Sequence, residues 1–90
     1  MEYNIRANAL TIRLDEKNLA SVVFHTEGNK MYLDSTFTPE EYRGRGIGSE
    51  LMKASMDYAK KNNLLIVPVC SFAKEYFRKH EEYSSIVVKS

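Results

Sequence analysis

Arg43-Gly44-Arg45-Gly46-Ile47-Gly48-Ser49-Glu50-Leu51-Met52 is where the hydropathy pattern changes period, and the fold follows from what stands on either side. Upstream, apolar residues alternate with polar ones, the period of a half-buried strand. Leu10, Ile12 and Leu14 form one such run, and Ala20, Val22 and Phe24 a second. Met31, Leu33, Ser35 and Phe37 form a third, expected on one face of its strand. Polar breaks at Asp15-Glu16-Lys17-Asn18 and Glu27-Gly28-Asn29 supply the turns, so the first half predicts a three-stranded antiparallel meander.

Downstream, Ile47, Leu51, Met52, Ala54, Ser55, Tyr58 and Ala59 recur at helical spacing against Glu50, Lys53, Asp57, Lys60 and Lys61. This predicts an amphipathic helix from Gly46 to about Asn62-Asn63. The run Leu64-Leu65-Ile66-Val67-Pro68-Val69 reads as a strand buried on both faces, with Pro68 removing one ladder donor and arguing for an edge, bulge or splay. Ser71 is positioned to cap a second helix carrying Ala73, Tyr76, Phe77 and His80, and Ile86-Val87-Val88 to form a short closing strand. A helix between the third and fourth strands makes a crossover to a parallel neighbour. The expected class is α+β: one domain over residues 1–90, a mixed and mostly antiparallel sheet, and two main helices.

Composition narrows the function. The chain has 90 residues, 43% hydrophobic and 28% charged, which suits a folded domain rather than a disordered chain. Its net charge of +1 gives no broad surface for nucleic acid or a membrane, so any anion site is local. Cys70 has no internal disulfide partner and the N-terminus lacks the apolar stretch of a secretory signal, which predicts a cytoplasmic setting. The longest apolar run falls far short of the roughly 20 residues that span a bilayer.

In the decisive stretch, unpaired N–H groups and the helix dipole favour an anion. Glycines let a diphosphate approach the backbone, and Arg43 and Arg45 add charge. The Lys-Ser/Thr ending of a P-loop is missing, as is G-x-G-x-x-G spacing. Arg43, Gly46 and Gly48 instead match an Arg/Gln-x-x-Gly-x-Gly/Ala pattern, and here the chain resembles the GNAT superfamily of N-acetyltransferases, in its small minimal-domain form. The later Ala73-Lys74-Glu75-Tyr76-Phe77-Arg78-Lys79-His80 looks like that family's second signature helix. The resemblance covers about Ala9 to Val88.

The resemblance implies acetyl-coenzyme A as co-substrate, with no metal, and a primary amine of unidentified acceptor. It implies that Thr36, Phe37 and Thr38 pair their backbone with the pantetheine arm. The loop Arg43, Gly44, Arg45, Gly46, Ile47, Gly48 and Ser49 would hold the pyrophosphate, with the N–H groups from Arg45 to Ser49 as donors. Tyr76 would approach the thioester sulfur and protonate the thiolate.

Cys70, between a strand and a helix N-terminus, stands where the thiolate form is favoured, and suits either a covalent acyl route or a small buried hydrophobe. Small relatives carry a histidine where this chain has Ser35, which removes the obvious base. His25 would replace it only if it faced the cofactor groove; otherwise it is a solvated or cross-strand residue. Glu27, Asp34 and Glu50 read as solvated charges, as do Lys60 and Lys61. His80 reads as a dipole partner at a helix end, and Met31, Met52 and Met56 as core filling. Two rival functions share the loop: a non-catalytic acyl-coenzyme A binding module, and a nucleotide- or phosphate-binding domain. A monomer or a weak homodimer is expected.

Overall fold

The computed structural model describes residues 2–88. Five strands, β1 (Asn4–Arg6), β2 (Ala9–Arg13), β3 (Leu19–Glu27), β4 (Lys30–Phe37) and β5 (Leu65–Pro68), form one sheet in chain order. The first four are antiparallel, and β5 joins β4 in parallel after the crossover through α1 (Ile47–Lys61). A second helix, α2 (Ser71–Lys79), follows β5, and short 3₁₀ turns span Glu40–Tyr42 and Glu81–Ile86. The α+β reading, its mixed sheet and its two main helices match what the sequence predicts.

One face of the sheet is covered. The helix α1 touches β2, β3, β4 and β5, and α2 packs beside it against β4 and β5. Leu10, Ile12, Ala20, Val22, Met31 and Leu33 meet Leu51, Met52, Met56 and Ala59 in a single core. Each such large side chain, fully buried, stabilises the fold by roughly 2 kcal/mol before entropy is counted. The three methionines fill core space as expected. Ser55, fully buried among them, donates to the Leu51 carbonyl at 2.8 Å and so leaves no orphan hydroxyl. The other face of the sheet is open, with Val23 38% and Phe37 53% exposed.

The end of α1 shows how closely local sequence sets the element. Asn63 takes φ +56°, and Leu64 N–H reaches back to the Ala59 carbonyl at 2.8 Å while Asn63 N–H meets Lys60. This is a Schellman termination with asparagine in the left-handed position usually given to glycine. No helix among the described residues is long and apolar enough to cross a membrane.

Five details differ from expectation. The strand β1 is an addition: three residues with one apolar side chain show no alternation to read, yet they pair with β2. Just before it, the Tyr3 hydroxyl donates to Asp57 of α1 at 2.5 Å, tying the sheet edge to the helix. The strand β5 is not buried on both faces, because it lies near the sheet edge under helices on one side only; Ile66 alone is fully buried. Cys70, not Ser71, caps α2, its Sγ accepting the Ala73 N–H at 3.4 Å. The closing strand shrinks to one bridge, Ile66 with Val87, because Glu81–Ile86 winds into a 3₁₀ turn.

The fifth difference shapes the site. Val23 pairs with Ser35 but its neighbour Phe24 pairs with Leu33, so Asp34 is an extra residue in β4. Such a bulge reverses which side chains face the core. Met31 and Leu33 point to the helices, but Ser35 and Phe37 turn to the open face, and Thr36 takes the helix side opposite Val22. The alternation in the sequence does not register a one-residue insertion, so Ser35 and Phe37 do not share the face of Met31 and Leu33 as expected.

Candidate functional site

The bulge coincides with a parting of strands. The β4–β5 register ends at Leu33 with Pro68, and the N–H groups of Val69 and Cys70 both converge on the Leu33 carbonyl, each at 3.0 Å. Beyond that point β5 turns away into α2, while β4 runs on to Phe37 without a strand neighbour on that side. Pro68, with no N–H to donate, stands at the place where pairing stops.

Into this opening faces the N-terminus of α1. Gly46, its N-cap, has φ +80° and offers no side-chain cap, and the first helical bond runs from Glu50 N–H to the Gly46 carbonyl. The N–H groups of Ile47, Gly48 and Ser49 therefore lack helix partners and, with the dipole, make an anion site. Gly44, at φ +81°, helps the loop to bend back on itself.

A cleft of about 470 Å³ joins these parts. Its walls include Thr36, Phe37, Thr38, Arg43, Gly44, Gly46, Ile47, Gly48 and Ser49, nine of the ten residues expected there. Arg45 is the exception: its guanidinium lies over the Tyr42 ring, 5.3 Å from the centroid, rather than in the wall. Arg43 Nε donates to the Thr38 carbonyl at 3.0 Å, so this arginine also straps the loop to the end of β4.

Two wall residues escape the sequence reading. Tyr42 lies in the cleft and its hydroxyl donates to Asp15 in the β2–β3 turn, anchoring the start of the loop to the sheet. That bond, with those from Asn18 and the Lys17 N–H, holds the Asp15 carboxyl down at about 2; the same bond first, then desolvation and the Asp15 charge, pushes the Tyr42 phenol up. Phe72 of α2 is the other. A methyl group at Gly48 would stand 2.4 Å from the Phe72 ring, so glycine there admits a close approach of the two helices. A tyrosine ahead of a glycine loop and a phenylalanine in a helix's first turn carry no distinctive spacing, which is why neither stands out.

Cys70 and Tyr76 are near the cleft but not among its walls. Cys70 is half-buried with its sulfur occupied by the α2 cap. Tyr76 is almost fully buried, stacked at 6.4 Å against Phe72 and at 4.2 Å against His80. Burial, then the charges of Tyr83, Glu82 and Glu50, raise its phenol. The group stays protonated, and as a weaker acid than an ordinary thiol it is better suited to donate a hydrogen bond to a thiolate than to surrender its proton. His80, besides ending α2, supports the Tyr76 ring and pairs with Glu82 at 3.2 Å.

His25 does not line the cleft. It sits on the open face, stacked on Tyr32, with Nδ1 2.6 Å from Asp34 and Nε2 3.0 Å from Glu27. Asp34 and Glu27 are therefore partners of a histidine rather than isolated solvated charges. Glu50 pairs loosely with Lys53, and Lys61 with Asp57. No group of three His, Cys, Asp or Glu among the described residues is arranged to hold a metal ion.

The profile of a GCN5-related N-acetyl-transferase family matches residues 9–86. Human Protein NATD1 is 28% identical over 82 residues, covering 89% of this chain and 73% of its own length. Acetyltransferase Atu2258 of Agrobacterium fabrum is 28% identical over 75 residues, covering 82% of this chain and 55% of its own. The solution structure of a GCN5-like protein from Staphylococcus aureus superposes with a TM-score of 0.79 at 33% identity, over 99% of this chain and 89% of that one.

Proposed function

The chain belongs to the GCN5-related N-acetyltransferase family, and from that premise we propose that it transfers an acetyl group from acetyl-coenzyme A to a primary amine. The observation that carries this reading is the uncapped N-terminus of α1, whose Ile47, Gly48 and Ser49 N–H groups face a cleft continuous with the unpaired edge of β4. A pyrophosphate fits the first and an extended amide-bearing arm fits the second, because a strand edge offers the hydrogen bonds that a peptide-like chain uses. Among nucleotide-like ligands, coenzyme A has both parts.

Arg43 and the loop N–H groups hold the diphosphate in this reading, and Thr36, Phe37 and Thr38 guide the arm towards Leu33, where the strands part. Tyr76 donates a hydrogen bond to the departing sulfur. Cys70 supports a covalent alternative, in which its thiolate takes the acetyl group before the amine does. Its backbone N–H on Leu33 places it at the same parting of strands.

Calorimetric titration with acetyl-coenzyme A, with ATP as a parallel ligand, tests the reading. Saturable binding of acetyl-coenzyme A in preference to ATP is expected, followed by amine-dependent release of free coenzyme A. Preference for ATP would favour a nucleotide site, and binding without release by any amine would leave an acyl-coenzyme A carrier.

A further inference from the structure

The open face of the sheet holds an arrangement that the cleft does not explain. His25 and Tyr32 are cross-strand partners on β3 and β4, with rings 4.6 Å apart and 7° from parallel. Asp34, the bulge residue, approaches His25 Nδ1 at 2.6 Å. A carboxylate on one nitrogen fixes the ring's tautomer and aims the other nitrogen, the arrangement by which a histidine is made a directed proton acceptor. The other nitrogen, Nε2, meets Glu27 at 3.0 Å, but Glu27 is 67% exposed in its side chain and free to swing aside.

Position gives the pair its meaning. Asp34 immediately follows Leu33, the last β4 residue paired with β5 and the acceptor for the Val69 and Cys70 N–H groups. An arm running along the unpaired edge of β4 from the cleft would bring its reactive end to this parting of strands. No helix among the described residues covers the open face there, so an acceptor has a route to the thioester from the side opposite the helices, and His25 can meet it there without lining the cofactor cleft, a route that the expectation from sequence did not include. Two carboxylates on that face also favour a cationic acceptor such as an alkylammonium.

Resting on the transferase reading above, we propose that His25, oriented by Asp34, accepts the proton of an alkylammonium acceptor arriving on the open face of the sheet. The acceptor R–NH₃⁺ cedes one proton to neutral Nε2 of His25. Its nitrogen then bonds to the acetyl carbon, the carbon–sulfur bond breaks, and the second nitrogen proton goes to the leaving thiolate. His25 returns its proton to solvent. Asp34 is a positioning residue in this scheme, acting through His25.

The groups facing the imidazole are Glu27 on its own strand and Tyr32 and Asp34 on β4, with Lys30 opposite Glu27 in the register. The Asp34 bond foremost, then its charge and Glu27, against some desolvation, raise His25 above the ordinary histidine value. The neutral form that accepts a proton therefore appears on the alkaline side, and turnover of an ammonium acceptor rises with pH through that range.

Two amines separate the claims: benzylamine, an ammonium at neutral pH, and hydroxylamine, which is uncharged there and needs no prior proton acceptor. His25→Gln is expected to slow benzylamine acetylation about 100-fold, in the range typical of a lost general base, and to change the hydroxylamine rate less than about threefold. Acetyl-coenzyme A affinity should be unchanged. Asp34→Asn should move the rise in benzylamine rate to lower pH while retaining the fold by circular dichroism. Equal losses with both amines, or no loss with either, would overturn the assignment of His25 and leave the transferase reading standing. Wild-type protein that binds acetyl-coenzyme A but acetylates no amine in a broad panel that includes these two would overturn both.

Discussion

Tyr42 does two things at once: its hydroxyl anchors the loop to Asp15, and its ring seats Arg45. A folded carboxyl held at about 2, below its ordinary unfolded value near 4, adds stability that is present above about pH 4 and is lost as pH falls through about 2. Tyr42→Phe removes the largest cause. The gap in melting temperature between wild type and Tyr42→Phe should be constant above about pH 4 and close towards pH 2, as followed by circular dichroism. Asp15 is exposed and Tyr42 only half-buried, so solvent screening keeps the gap small, but the same variant should weaken acetyl-coenzyme A binding by releasing the loop. Cys70 also has two roles to separate. Cys70→Ser keeps an N-cap acceptor for the Ala73 N–H, so the fold is retained while the sulfur nucleophile is removed. Wild-type protein incubated with labelled acetyl-coenzyme A should carry label that Cys70→Ser lacks if the covalent route operates; undiminished turnover by Cys70→Ser would establish direct transfer instead.

At the scale of the element, the N-terminus of α1 depends on Gly46. With φ +80°, any side chain there costs about 1 kcal/mol, although the space beside it is open. Gly46→Ala should lower stability to chemical denaturation by about that amount and weaken acetyl-coenzyme A binding further, since the N–H groups of Ile47 to Ser49 turn with the cap. Equal affinity in the variant would count against the helix terminus as the anion site. Much of this element was legible: the alternation, the helical spacing and the glycine loop fix β2, β3, α1 and the crossover. What the sequence hid has specific physical causes. The Asp34 bulge leaves no mark on composition, so the facing of Ser35, Thr36 and Phe37 was not readable. The Cys70 cap of α2 was not legible because a thiol is a weaker and less usual acceptor than the neighbouring Ser71 hydroxyl. Tyr42 and Phe72 reach the cleft only through turns and helix packing, which local spacing does not encode.

For the whole molecule, one covered sheet face and one open face divide the work. Under the proposed function, the helix side builds the donor cleft from the end of β4, the α1 loop and the first turn of α2. The open side, across the parted strands, carries His25, Tyr32 and Asp34 for the acceptor. A second cavity of about 440 Å³, beside Pro68, Phe77 and Val87, lies away from the α1 N-terminus and offers an internal control. The most direct measurement is therefore an amide proton–nitrogen spectrum of labelled protein titrated with coenzyme A. The account predicts that the largest shifts fall on Ile47, Gly48 and Ser49, with the β4 residues Thr36 and Phe37 next. Largest shifts instead on Phe77, Val87 and Val88, with the α1 N-terminus unmoved, would contradict it.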